Sequence, residues 1–304
     1  MNVKTKIAQK IAVIGLGSMG YGIAKSALRG GHLVWGVDIN SDQMAKFHNE
    51  GGQMSDLGTA AADIDAVILA VLNADQTEDV LFGPGGIVTS MKAGALVLAC
   101  ATVPPAFAKD MAARCGKSGV LYLDAPISGG SLKAAQGKLS IMASGTPEAF
   151  DTARPALDSI AQTVFELGDE PGAGSAMKAV NQLLAGVHIA AMAEALTFGM
   201  TQGVAPQKFV EVISQCAGTS WMLENRAPHI VAGDYTPHSS VNIWPKDLGI
   251  VLDIAKTAEF DAPITAAALR QFVAAAGMGL GQEDDAAVAK VYAKNAGLIL
   301  PGQD

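Results

Sequence analysis

The sequence predicts an α/β domain followed by an all-α domain, joined by one long helix. Three observations predict it. Short continuous apolar runs alternate with helical stretches through the first half of the chain, the pattern of a parallel sheet buried on both faces. A glycine-rich turn follows the first apolar run and opens a helix. After Gly172 the strand signals stop and only helical patterns remain. The 304 residues suffice for two domains with separate cores. The expected division is 1–170 and 171–304.

The first apolar run, 11–14, leads into Gly15-Leu16-Gly17-Ser18-Met19-Gly20 and a helical stretch to about residue 28. This is G-x-G-x-x-G in the context that gives it meaning, after a strand and opening a helix. Gly15 permits the tight turn, Gly17 admits a pyrophosphate close to the backbone, and Gly20 lets the helix pack on the sheet. The helix N-terminus faces the phosphate charge. The next run, 33–37, ends in Asp38, roughly 20 residues after the glycines, where a carboxylate accepts from a ribose 2′-OH and repels a 2′-phosphate. The first domain is therefore expected to be a Rossmann domain that binds NAD.

Residues 66–71 form another buried strand, followed by Leu72-Asn73. Residues 96–100 form the next, followed by Thr102 and the prolines 104 and 105. Ligands in such sheets bind beyond the C-terminal strand ends, which makes Leu72, Asn73 and Thr102 candidate cofactor neighbours. Capping the helix that the prolines begin would equally account for Thr102. Residues 120–123 run into Asp124-Ala125-Pro126-Ile127-Ser128-Gly129-Gly130. Ser128, Gly129 and Gly130 offer a hydroxyl and exposed N–H groups suited to a carboxylate; a plain turn has the same composition. Strands at 139–143 and 163–167, with a helical stretch from Pro147 between them, are expected to complete the sheet.

Gly172-Ala173-Gly174 opens a helix that continues to about residue 202. Lys178, Asn181 and Gln182 stand at i, i+3 and i+4 and share a face: one proton-transfer group with two amides able to orient a substrate. Read alone, Lys178 is as well explained as a solvated surface lysine. The positive end of the helix dipole would push its pKa down. The helix is apolar almost all round, as expected of a buried spine. Further helical stretches start at Pro206 and lie near 247–258, 263–277 and 283–296. Lys246, at a helix start beside Trp244, is a candidate cofactor or substrate contact. His188 lies farther along the long helix and is left outside the catalytic set. His229 and His238 lack zinc-site spacing, so no metal is expected.

Together these residues resemble the β-hydroxyacid dehydrogenase family, which contains 3-hydroxyisobutyrate dehydrogenase and tartronate semialdehyde reductase. Four motifs carry the resemblance in order: the turn at 15–20, Asp124 to Gly130, Gly172-Ala173-Gly174 with Lys178 and Asn181, and Lys246-Asp247-Leu248. The resemblance implies a 6-phosphogluconate dehydrogenase-like architecture, NAD, and a small hydroxy-acid substrate. It implies Lys178 as general acid/base, Ser128, Gly129 and Gly130 on the substrate carboxylate, Asn181 and Gln182 on its hydroxyls, and Thr102 and Lys246 near the cofactor. It also suggests a homodimer or homotetramer. Much of the family has a second asparagine where this chain has Gln182. The segments 216–222, 225–238 and 246–251 resemble a subgroup acting on a four-carbon sugar acid at C2, for which Gln182, Ser220, Asn225 and His188 are available polar partners. Sibling substrates, or NAD binding without catalysis, are the alternatives.

The formal net charge of −8 argues against nucleic acid as a partner. Cys100, Cys115 and Cys216 form no C-x-x-C pair and imply no disulfide framework, which suits a reducing cytoplasm. Residues 1–10, with Lys4, Lys6 and Lys10, read as a tail before the first strand. No uninterrupted apolar run has the length of a membrane span, so no membrane partner is expected.

Overall fold

The computed structural model describes residues 8–53 and 57–302. The tail reading of residues 1–7 lies outside the described residues. The chain divides into two compact units, Met1–Lys178 and Ala179–Asp304.

In the first unit, strands β1 (Lys10–Ile14), β2 (Leu33–Val37), β3 (Ala66–Leu69), β4 (Leu96–Ala99) and β5 (Leu121–Asp124) form a parallel sheet of order β2-β1-β3-β4-β5. Its helices are α1 (Gly20–Arg29), α2 (Ser41–Asn49), α3 (Leu57–Ala60), α4 (Ala74–Phe82) and α5 (Pro105–Lys117). The apolar runs are continuous because alternate residues enter two different cores. Ile11 and Val13 pack in one with Ile23 of α1, and Ala12 and Ile14 in the other with Leu81 of α4 and Met111 of α5.

The later strands do not extend this sheet as expected. β6 (Ile127–Ser128), β7 (Leu139–Ala143) and β8 (Ala161–Glu166) make a second sheet, with β6 antiparallel and β8 parallel to β7. Helices α6 (Gly130–Gln136) and α7 (Pro147–Ile160) connect them. An antiparallel bridge between Asp124 and Ser144 links the sheets. The chain runs on from β5 through Pro126 into β6 and reverses only through α6, so β7 meets the end of β5 antiparallel and cannot continue the parallel ladder.

Helix α8 (Ala173–Thr201) begins in the first unit and continues into the second. It is long and apolar enough, by length and mean hydropathy, to cross a membrane, although polar residues interrupt its sequence. Here its Ile189, Ala193 and Leu196 are fully buried in the second unit's core. That core also takes side chains from α9 (Pro206–Ile213), α10 (Trp221–Ala232), α11 (Ile243–Thr257), α12 (Pro263–Ala275) and α13 (Ala289–Ala296), among them Phe209, Ile230, Leu248, Phe272 and Val291. Helix α10 is not evident in the sequence pattern because Pro228 lies inside it. Its start is nonetheless marked, since Ser220 Oγ accepts from Leu223 N at 3.1 Å.

Candidate active site

The glycine-rich turn and the end of β2 meet around a cavity of about 400 Å³ in the first unit. Leu16, Gly17, Ser18, Asp38 and Asn40 line it, with Tyr21 and Lys46. Gly15 has φ +93°, and a Cβ there would lie 2.7 Å from Ala70 O. A Cβ on Gly20 would overlap Gly15 O, whereas one at Gly17 would meet nothing within 4 Å. The turn is therefore tight at both ends and open in the middle, which fits a pyrophosphate. Met19 precedes α1 and caps nothing with its side chain. Asp38 accepts from Leu16 N at 2.5 Å and from Asn40 N at 2.8 Å. The carboxylate thus ties the glycine-rich turn to the strand end and stands in the same cavity.

At the next strand ends, Asn73 Oδ1 caps α4 by accepting from Gln76 N at 2.9 Å, and Leu72 is an exposed apolar residue beside it. Thr102 does not cap α5. That helix begins at Pro105 after Pro104, with no side-chain cap, because proline at N1 removes one of the N–H groups a cap would serve.

Beyond β5 one segment holds the start of α8. The Asp124 carboxylate accepts from Gly172 N at 2.9 Å, Ser175 N at 2.8 Å and Ser175 Oγ at 2.7 Å. Ser144 Oγ donates to it at 3.3 Å and accepts from Gly174 N at 2.9 Å. This is an anionic cap on the positive end of a long helix. Burial raises the Asp124 pKa above its ordinary value, against the lowering pull of its donors Ser175, Gly172 and Ser144. A Cβ on Gly174 would lie 2.4 Å from Met142 O, so only glycine lets the helix start this close to the sheet.

One turn on, Lys178 is buried at 8% exposure and its Nζ donates to Ile127 O at 2.9 Å. Ser128, Gly129 and Gly130 follow Ile127 directly. Gly129 has φ +131° and Gly130 φ +75°, backbone that favours glycine. The first unit thus brings Lys178 next to the Ser-Gly-Gly turn. The solvated-lysine reading of Lys178 does not hold, because its Nζ is buried and hydrogen-bonded.

In the second unit a chain of polar contacts connects α8 with α11. Asn181 Nδ2 donates to Gln182 Oε1 at 2.9 Å, and Gln182 Nε2 donates to Asp247 Oδ2 at 2.5 Å. Lys246 Nζ lies 2.5 Å from Asp247 Oδ1, but off the hydrogen-bonding direction. Sequence reasoning missed Asp247 as a partner for Gln182; its place in Lys246-Asp247-Leu248 was the only signal.

Residues of the second-half motif that suggested further substrate contacts also have structural partners. Ser220 is a helix cap, and Asn225 Oδ1 accepts from Arg226. Arg226 Nε pairs with fully buried Asp285 at 2.6 Å, and Trp244 Nε1 donates to the same carboxylate at 3.0 Å. His229 Nδ1 contacts Asp284 Oδ1 at 3.0 Å, and the His229 and His238 rings meet edge to face. Among the described residues no three His, Cys, Asp or Glu side chains gather as a metal site would require.

Two family models match: the NAD binding domain of 6-phosphogluconate dehydrogenase over residues 10–168, and the NAD-binding domain of NADP-dependent 3-hydroxyisobutyrate dehydrogenase over residues 172–292. An L-threonate dehydrogenase of Cupriavidus necator is 47% identical, across 98% of this chain and 99% of that protein. An L-threonate dehydrogenase of Escherichia coli is 43% identical, across 99% of each. A crystal structure of 3-hydroxyisobutyrate dehydrogenase from Salmonella typhimurium superposes with a TM-score of 0.88, at 44% identity, across 93% of this chain and 99% of that one.

Proposed function

The chain belongs to the 3-hydroxyisobutyrate dehydrogenase-like family of β-hydroxyacid dehydrogenases, and on that premise we propose that it oxidises L-threonate at C2 to the 2-oxo acid with NAD. It is a hydroxy acid dehydrogenase that uses a nicotinamide dinucleotide. Five L-threonate dehydrogenases at 42–47% identity support the substrate. Asp38 in the nucleotide cavity supports NAD over NADP.

The observation that carries the mechanism is the burial of Lys178 against Ile127 O, immediately before Ser128. Ser128 and the backbone N–H groups of Gly129 and Gly130 take the substrate carboxylate. That places the neighbouring C2 hydroxyl within reach of Lys178 Nζ, which takes its proton. A nicotinamide dinucleotide held at the Gly15–Gly20 turn and Asp38 would supply the acceptor for the C2 hydride. Asn181, one turn along the same helix face, takes a substrate hydroxyl, and Gln182 supports it. Leu72, Asn73, Thr102 and Lys246 are assigned to the cofactor side.

A cytoplasmic location is supported by free Cys100, Cys115 and Cys216. A homodimer or homotetramer is supported by exposed Val180, Leu184 and Phe198 on α8.

The test is NADH formation from NAD with L-threonate, D-threonate, D-erythronate and 3-hydroxyisobutyrate in parallel. L-threonate should lead every other acid in kcat/KM by at least about tenfold. A lead for 3-hydroxyisobutyrate, the activity named for the Salmonella structure, would replace the substrate and leave the Lys178 chemistry standing.

A further inference from the structure

Gln182 is not spare. Both ends of its buried amide are used within the second unit: Nε2 donates to Asp247, and Oε1 accepts from Asn181. The direction of this chain follows from its far end. Asp247 faces Lys246 through Oδ1, and a carboxylate paired with an ammonium has no hydrogen to give. The end of Gln182 that meets Oδ2 must therefore be the NH₂ group. Its carbonyl oxygen must then face Asn181, which can answer only with its own NH₂. Asn181 is left with Oδ1, to which no described residue donates. An unrestrained asparagine presents either end of its amide with equal ease, since the two have nearly the same shape. Here the choice is made at Asp247, two side chains away.

We propose that Asp247 is a positioning residue that, acting through Gln182, holds the Asn181 amide with Oδ1 turned outward as the acceptor for a substrate hydroxyl. The proposal rests on the hydroxy-acid reading above. It also accounts for glutamine at 182: the extra methylene reaches inward to α11, not outward to substrate. An inverted Asn181 would offer N–H to the substrate and leave Gln182 Oε1 facing a second oxygen. Polar networks of this kind specify one arrangement when every member is satisfied.

The test moves the charge one link along the chain without changing the Asn181 end. In Asp247→Asn the Gln182 amide is no longer pinned. In Gln182→Glu two carboxylates face each other. In the double variant, the amide introduced on α11 donates to the carboxylate introduced on α8, and that carboxylate still accepts from Asn181. Each single variant should raise the KM for the hydroxy acid by about tenfold or more, the scale of one misdirected hydrogen bond. In the Gln182 variants the NAD Kd should stay within about twofold, which a general loss of structure would not allow. The double variant should return to within about threefold of wild type, a coupling independent sites do not show. Losses that simply multiply in the double variant would overturn the proposal. Gln182→Met is an uncharged check and should show the same KM increase; an unchanged KM there would also overturn it. A wild-type enzyme that turns over no hydroxy acid with NAD would overturn the functional reading itself, before any variant is made.

Discussion

Lys178 donates to the carbonyl oxygen of Ile127 at 2.9 Å, so the candidate base is anchored one residue ahead of the turn assigned to the substrate carboxylate. Asp124, three residues before Ile127, caps the helix that carries Lys178. One short segment therefore sets both the helix start and the position of its lysine.

Gly174→Ala should loosen that junction. The added Cβ would lie 2.4 Å from Met142 O and 2.7 Å from Asp124 O, both backbone atoms that cannot step aside. Overpacking of this kind costs about 1–3 kcal/mol. Thermal unfolding should record the loss, and kcat should fall as the start of α8 moves. An unchanged Tm would contradict the close packing of the helix start.

Asp124 gives a pH dependence of known sign. Its pKa is raised in the folded protein, from an ordinary value of 3.8. Below that value it is protonated in both states and its contribution is complete. As pH rises, the unfolded chain gives up its proton first, so stability declines through the raised folded value. Denaturant midpoints of wild type and Asp124→Asn, compared from about pH 4 to 7, should show a wild-type advantage that shrinks with pH. An advantage that grows would contradict the direction.

Asp38→Ser should relax cofactor choice. The substitution removes the charge that opposes a 2′-phosphate and one acceptor for Leu16 N. The ratio of kcat/KM for NAD over NADP should drop at least about tenfold, equivalent to about 1.4 kcal/mol. An unchanged ratio would remove Asp38 from the ribose site.

Arg226→Ala should destabilise the second unit without touching the chemistry. Removal of one partner from a buried ion pair costs about 3–5 kcal/mol, and Asp285 would be left with the Trp244 indole as its side-chain donor. Chemical denaturation should show the loss. A stability close to wild type would mean that the pair is structurally idle.

Much of this was legible from sequence because it is local. Buried parallel strands betray themselves as continuous apolar runs, and the turn at Gly15 to Gly20 needs its glycines for reasons visible in the string. What stayed hidden depends on distant partners. Nothing near Asp124 announces that it caps a helix beginning at Ala173, and the link between Gln182 and Asp247 joins two helices far apart in the chain. The second sheet was missed because a strand's pairing partner is not written in its own pattern. A capping role for Thr102 is made unnecessary by Pro105. Of the polar partners the second-half motif offered, Ser220 caps α10 and Asn225 accepts from Arg226, roles that depend on the fold around them. Gln182 was expected on the substrate hydroxyls, and its Nε2 reaches Asp247 on α11.

The most direct test of the central claim is turnover by Lys178→Ala with NAD and L-threonate, with NAD binding measured independently. Loss of the general base should lower kcat by at least about a hundredfold while the NAD Kd stays near wild type. Near-wild-type turnover in that variant would contradict the assignment of Lys178 and with it the account of the site.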